Sequence, residues 1–156
     1  MNARKFLVVA DDTPEVSAAL RYACRRASST GGRVSLLRTL APTVFEHWSG
    51  VREEIERQTR AEAEAALQTL AEDVVRLTGH PPELLIREGE PSAGIRAAIA
   101  DDSDIKVLVL AAAVGGRGPG PLVSAIAKEG VASGGRRLAV TIVPGDLTDA
   151  EIADLA

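Results

Sequence analysis

The sequence predicts an α/β domain, a three-layer α/β/α sandwich around a five-stranded parallel sheet of order 3-2-1-4-5. Three observations carry this reading. Short apolar runs alternate with helical periodicities along all 156 residues, as parallel strands joined by right-handed crossovers require. The run Val107, Leu108, Val109, Leu110 shows no polar alternation, as in a strand buried on both faces. Aromatic residues make up only 3% of the chain against 46% hydrophobic residues in total. The core must therefore be aliphatic, which suits helices on a parallel sheet better than a β-sandwich.

Phe6 to Ala10 is the first strand, ended by the turn residues Asp11-Asp12-Thr13-Pro14. Thr13 before Pro14 reads as an N-cap followed by proline at the first helical position. Val16, Leu20, Ala23, Cys24 and Ala27 recur at helical spacing until Gly31-Gly32 stops the helix. Val34 to Leu40 is the second strand, and Ala41 to Ser49 a loop. Between Val51 and Leu77 the positions Val51, Ile55, Thr59, Ala63, Leu67, Leu70, Val74 and Leu77 step by four or three, so one stripe of a long helix faces the sheet. Its charged face is read as solvated and held by intrahelical pairs. Gly79-His80-Pro81-Pro82 ends it. Leu84 to Arg87 is the third strand, followed by a turn at Gly89-Glu90-Pro91-Ser92 and a helix through Ala100. Ile105 to Ala113 is the fourth strand. A helix from Leu122 to Val131 and a fifth strand from Ala139 to Val143 follow. Thr148 and Glu151 have capping-box spacing for a small last helix.

One domain is expected over residues 1–145, with residues 146–156 a C-terminal tail carrying the short helix. A net charge of −4 without any basic block disfavours nucleic-acid binding, which needs clustered positive charge. The single cysteine, Cys24, excludes an internal disulfide and reads as a small core residue. No apolar run approaches a membrane span, and the first residues make too short an apolar segment for a signal peptide, so a cytoplasmic protein without membrane contact is expected.

The segment Lys106 to Ser124 (KVLVLAAAVGGRGPGPLVS) is the strongest candidate for a site. Gly115, Gly116, Gly118 and Gly120 let backbone N–H groups approach a ligand, and strand, glycine loop and helix start form an arrangement that collects anions. In a doubly wound sheet ligands bind beyond the C-terminal strand ends where the winding reverses. With order 3-2-1-4-5, Asp11 and the Gly115 loop would face one crevice there. Asp11 is equally explained as a turn former that accepts local backbone N–H bonds.

In this order and spacing the chain resembles the universal stress protein family. The resemblance rests on FLVVADDTPEVSAALRYA, GGRVSLLRTL, REGEPSAGI, the fourth strand with its glycine loop, and the last strand ending VTIVPG. It implies a Rossmann-like fold of the adenine-nucleotide alpha-hydrolase type and a homodimer, here through the fifth strand. The apolar edge Ala139 to Val143 would otherwise be exposed. It also implies a crevice for ATP or AMP, since some members bind these nucleotides. By resemblance Ala10 and Asp11 lie near adenine and ribose, and Thr39 lines the adenine pocket.

Nucleotide-binding members carry Gly-x-x-Gly, nine residues, then Gly-Ser or Gly-Thr. Anchored on Gly115 and Gly118, that motif puts Lys128 and Glu129 at its end. Anchored on the strand end and LVSAI, it puts Ala111 and Val114 at the glycines and Ser124-Ala125 at Gly-Ser. The second register keeps strand and helix lengths intact. Under either the motif is damaged: in the second Val114 would crowd a phosphate and Ala125 lacks a hydroxyl, and in the first Glu129 would repel it, so ATP binding is expected to be weak or absent. Gly115, Gly116, Gly118 and Ser124 remain candidates for holding a smaller anion, with Arg117 as a mobile counter-charge.

Other constellations are poor. His47 and His80 have no partners at metal-ligand spacing. Asp101, Asp102 and Asp104 lack a calcium-loop pattern and read as a polar turn. Phe45, His47 and Trp48 are loop aromatics or their neighbours, packed on the sheet edge or covering the crevice. The leading expectation is a non-catalytic stress-response protein acting by binding. The alternative is a slow nucleotide hydrolase or adenylate-handling enzyme, against which stands the absence of a P-loop lysine-serine pair.

Overall fold

The computed structural model describes residues 2–41, 49–131 and 136–156. Its elements are β1 (Lys5–Val9), α1 (Val16–Thr30), β2 (Arg33–Leu40), α2 (Ser49–Thr78), β3 (Glu83–Glu88), α3 (Pro91–Asp101), β4 (Ile105–Ala112), α4 (Pro121–Glu129), β5 (Ala139–Pro144) and α5 (Asp149–Leu155). The five strands form one sheet of order β3-β2-β1-β4-β5, every neighbouring pair parallel. This is the expected sheet. Phe45, His47 and Trp48 lie outside the described residues.

Strand alternation sorts the core into two layers. Phe6, Val8 and Leu36 point to one face and pack with Ala19, Ala23 and Ala27 of α1 and Leu67 and Val74 of α2. Leu7, Val9, Leu37 and Leu108 point to the other, against Ile95 and Ile99 of α3 and Val123 and Ile126 of α4. α1 and α2 therefore cover one face and α3 and α4 the other, with β1 the central strand of the doubly wound sheet. The segment from Asp146 onward is not a detached tail. Ile152 is buried in the α1-side layer, and Thr148 and Glu151 form the expected capping box.

Three local expectations are corrected. Thr13 does not cap α1: Asp11 Oδ1 accepts both the Thr13 N–H and its hydroxyl proton, which orients the side chain toward the preceding turn. Residue 15 becomes the cap position, with no side-chain bond. The helix after β4 ends at Glu129 and not Val131, because Gly130 adopts a positive φ of 74° that closes the helix. The apolar stripe of α2 is buried only in its second half, at Ala63, Leu67, Ala71 and Val74, whereas Val51 is exposed. A 30-residue helix is ~45 Å long, and an 8-residue strand only ~26 Å. The first turns of α2 therefore overhang the sheet.

The N-terminal strand edge is closed by charge. Lys5 Nζ pairs with Asp102 at 2.5 Å and Glu83 at 3.3 Å, and Asp102 Oδ1 accepts the Asp104 N–H at 2.9 Å, so the acidic run is a structural turn. The Arg136 guanidinium donates to the backbone carbonyls of Ile99, Asp102, Ser103 and Ile105, tying the start of β5 to the end of α3.

Candidate functional site

At the opposite, C-terminal edge the strands stop at different heights and leave a crevice between β1 and the helices α3 and α4. Backbone bonds carry the sheet to its lip: Ala10 N–H donates to Leu37 O, Gly89 N–H to Leu40 O and Gly145 N–H to Ala112 O, each at 2.8 Å. A cavity of about 310 Å³ lies here. One wall is Val9, Ala10, Asp11 and Asp12, a second Arg38 and Thr39, and the helix starts Glu90–Ser92 and Pro121–Leu122 with Ala125 complete it. A neighbouring cavity of about 370 Å³ shares Val9, Asp11, Pro121 and Leu122 with the first and extends along Ala111, Ala113, Pro119 and Gly120.

Two features hold this shape. Gly120 has φ 105° and ψ 160°, a region that residues with a Cβ avoid, and it delivers the chain to Pro121 at the first position of α4, where the missing N–H costs no helix bond. Gly94 brings α3 close against Thr39: a Cβ there would stand 2.6 Å from Thr39 Cγ2.

The charges of the first cavity are unbalanced. Asp11, Asp12 and Glu90 face one cation, Arg38, whose Nη2 meets Asp12 Oδ1 at 2.7 Å while its side chain is only 16% exposed. Three carboxylates against one guanidinium leave the lining net negative, which works against a ligand carrying several phosphate charges. Arg38 is the site residue that sequence reasoning missed. A strand pattern places it on one face of β2, but only the pairing of β1 with β2 brings it to Asp12.

Of the predicted site residues, Ala10, Asp11 and Thr39 come together in the first cavity and Ala111 lies in the second. Gly115, Gly116, Gly118 and Ser124 line neither. The loop turns on itself, with Gly118 N–H donating to Gly115 O at 3.3 Å and Ala113 N–H to Pro119 O at 3.0 Å, so its base faces the crevice and its tip does not. Val114 is 61% exposed and crowds neither cavity. Lys128 and Glu129 sit in the last turn of α4, where Glu129 pairs with Arg96 at 2.7 Å, while Ala125 reaches the crevice. His80 is exposed, and no group of three or more acidic, histidine or cysteine side chains able to hold a metal occurs among the described residues.

With this geometry in place, the relationships of the chain are clear. The model of the universal stress protein family matches residues 2–126. The chain belongs to that family. Its fold is that of a universal stress protein from Lactobacillus plantarum (TM-score 0.71, 20% identity, covering 91% of this chain and 99% of the other). A universal stress protein in complex with cAMP also aligns (TM-score 0.63, 14% identity, 94% and 100% covered). So does one from Archaeoglobus fulgidus in complex with dAMP (TM-score 0.58, 21% identity, 92% and 99% covered). No curated protein matches the chain. No helix among the described residues is long and apolar enough to cross a membrane.

Proposed function

We propose that the protein acts by binding an adenine nucleotide with a single phosphate in the crevice beyond β1, as a non-catalytic member of its family. The observation that carries this reading is the cavity of about 310 Å³ walled by Ala10, Asp11, Arg38, Thr39 and Ala125, at the lower end of the ~300–1,000 Å³ range of ligand pockets. Val9, Pro91 and Leu122 offer apolar surface for a base, and Arg38 one positive charge for one phosphate. The net negative lining disfavours a triphosphate, in keeping with the damaged glycine motif. The cAMP and dAMP complexes of the two similar structures support a ligand of this class.

Binding without turnover is supported by the state of the nearest carboxylates. Asp11 Oδ1 accepts from Thr13 and Asp12 Oδ1 from Arg38, so one oxygen of each carboxylate is committed to holding the protein's own loop and strand. The assembly we propose is a homodimer through β5, the outer strand beside β4, where Val140 and Ile142 are exposed and pairing would cover the edge. A thermal-shift series with AMP, cAMP and ATP tests the ligand. AMP or cAMP should raise the melting temperature with the logarithm of concentration, and ATP should do so less. No shift with any of the three overturns the reading, and turnover of AMP or ATP overturns its non-catalytic part.

A further inference from the structure

A third cavity, of about 380 Å³, lies on the other face of the sheet, between α1, the end of α2 and α5. Arg21 and Arg25 of α1 and Arg76 of α2 all line it, with Ser28 and Asp149 beside them. Arg21 and Arg25 are four residues apart and Ser28 three further on, so α1 presents them as one stripe. Three guanidinium groups in one concavity repel each other unless anions separate them. Two are already oriented by a carboxylate: Arg21 Nη1 by Asp149 at 2.5 Å and Arg76 Nη2 by Asp73 at 2.8 Å. Each of these uses one of a guanidinium's five N–H donors. Arg25 has no carboxylate within ion-pair distance among the described residues. The floor is apolar, with Leu77 and Ile152.

We propose that this cavity is an anion site for a small ligand with two or more linked phosphate groups, held by Arg21, Arg25 and Arg76. The choice follows from charge. Arg25 and the unused donors of its two neighbours present fork-shaped pairs suited to phosphate oxygens, and once Asp149 is displaced from Arg21 only Arg76 keeps its carboxylate, a balance that one monoanion would leave undercompensated. Asp149 is the internal competitor. Its carboxylate occupies Arg21 and is 76% exposed, so an entering phosphate displaces it into water at little cost. The site is independent of the crevice: no residue lines both cavities, and the crevice's own lining is net negative where this one is positive.

The test is calorimetric titration of inorganic tripolyphosphate into the full chain at low ionic strength. A single saturable site is expected. Arg25→Ala and Arg76→Ala should each weaken it by about tenfold or more, as loss of a charge-assisted contact predicts, while Asp149→Asn tightens it. Ser28→Glu, an exposed substitution on the same helix that places a carboxylate in the cavity, should abolish it while leaving the circular dichroism spectrum and melting temperature nearly unchanged. Titration of ATP separates free polyphosphate from a nucleotide tail: binding sensitive to Arg25→Ala extends the site to nucleotides, and binding insensitive to it confines the site to free phosphates. Absence of tripolyphosphate binding overturns the proposal. So does binding that survives Arg25→Ala and Ser28→Glu but is lost on Arg38→Gln, which would place the anion in the crevice.

Discussion

Gly94 and Thr39 meet across the α3–β2 interface so closely that no side chain fits between them. A Cβ on Gly94 would lie 2.6 Å from Thr39 Cγ2 and 3.4 Å from Arg87 Cβ. This contact lets the start of α3, with Glu90 and Pro91, form a wall of the crevice. The cost of a glycine inside a helix, ~1 kcal/mol relative to alanine, is offset by that approach. Gly94→Ala is expected to destabilise the fold by about 1–2 kcal/mol net of its better helix propensity, and to weaken nucleotide binding by pushing α3 outward. Thr39→Ser removes Cγ2 and should restore most of the loss in the double variant, a coupling that urea titrations of the four proteins would measure. Additive effects would show that the contact does not set the position of α3.

The Lys5–Asp102 pair sets a pH dependence at both extremes. Burial tends to raise the Asp102 carboxyl, but the bond from Lys5, the Asp104 N–H and the Lys5 and Arg136 charges outweigh it and hold it below 3.8. The bond to Asp102, followed by opposing burial and then Glu83, raises Lys5 above 10.5. A carboxylate with a depressed folded pKa stabilises above its unfolded value and loses that contribution as pH falls through the folded one. The amine does the reverse as pH rises. The pair's contribution is therefore constant between about pH 5 and 9 and shrinks outside that window. Both groups still touch water, so Asp102→Asn should cost only a few tenths to 1 kcal/mol at pH 7, and the gap between variant and wild type should close below pH 3.8. Asparagine keeps the oxygen that accepts from Asp104, which isolates the charge.

Cys24 is expected to be inert. It is buried, 1% exposed, and burial, with a smaller push from Asp73 and an opposing pull from Arg76, drives its thiol up to about 12. The thiolate is the reactive form, so iodoacetamide at pH 8 should label the native chain far more slowly than the chain in urea. Equal rates would mean that α1 opens readily from the sheet.

The exposed edge of β5 offers a direct assembly test. Val140 is 37% and Ile142 44% exposed, and Ile142→Lys should shift the chain to monomer in light scattering with little change in unfolding midpoint. A wild type that is already monomeric at micromolar concentration contradicts the β5 dimer.

Much of this architecture was legible because it rests on local pattern. The unbroken apolar run of β4, the Thr148–Glu151 spacing and the glycines that end α1 and α2 each encode their element within a few residues. Thr13 misled because its side chain is oriented by Asp11 two residues earlier, a pairing that only the geometry shows. The α2 stripe continues in sequence past the point where there is sheet left to cover. Arg38 and Arg136 could not be found from sequence, since their roles depend on partners brought by strand order: Asp12 across β1–β2, and the carbonyls at the end of α3. The glycine loop drew attention by composition, yet the side chains that reach the crevice come from Ala10, Asp11, Thr39 and Ala125.

Calorimetric titration of AMP into the wild type and two variants of Ala125 tests the central claim most directly, because Ala125 lines the crevice and lies far in sequence from the arginine cavity. The account predicts one saturable AMP site in the wild type and equal or tighter binding in Ala125→Ser, whose hydroxyl can meet the phosphate. In Ala125→Trp, whose indole fills the cavity, AMP binding should be lost while tripolyphosphate binding is unchanged. No heat of AMP binding in the wild type, or undiminished AMP binding in Ala125→Trp, would contradict it.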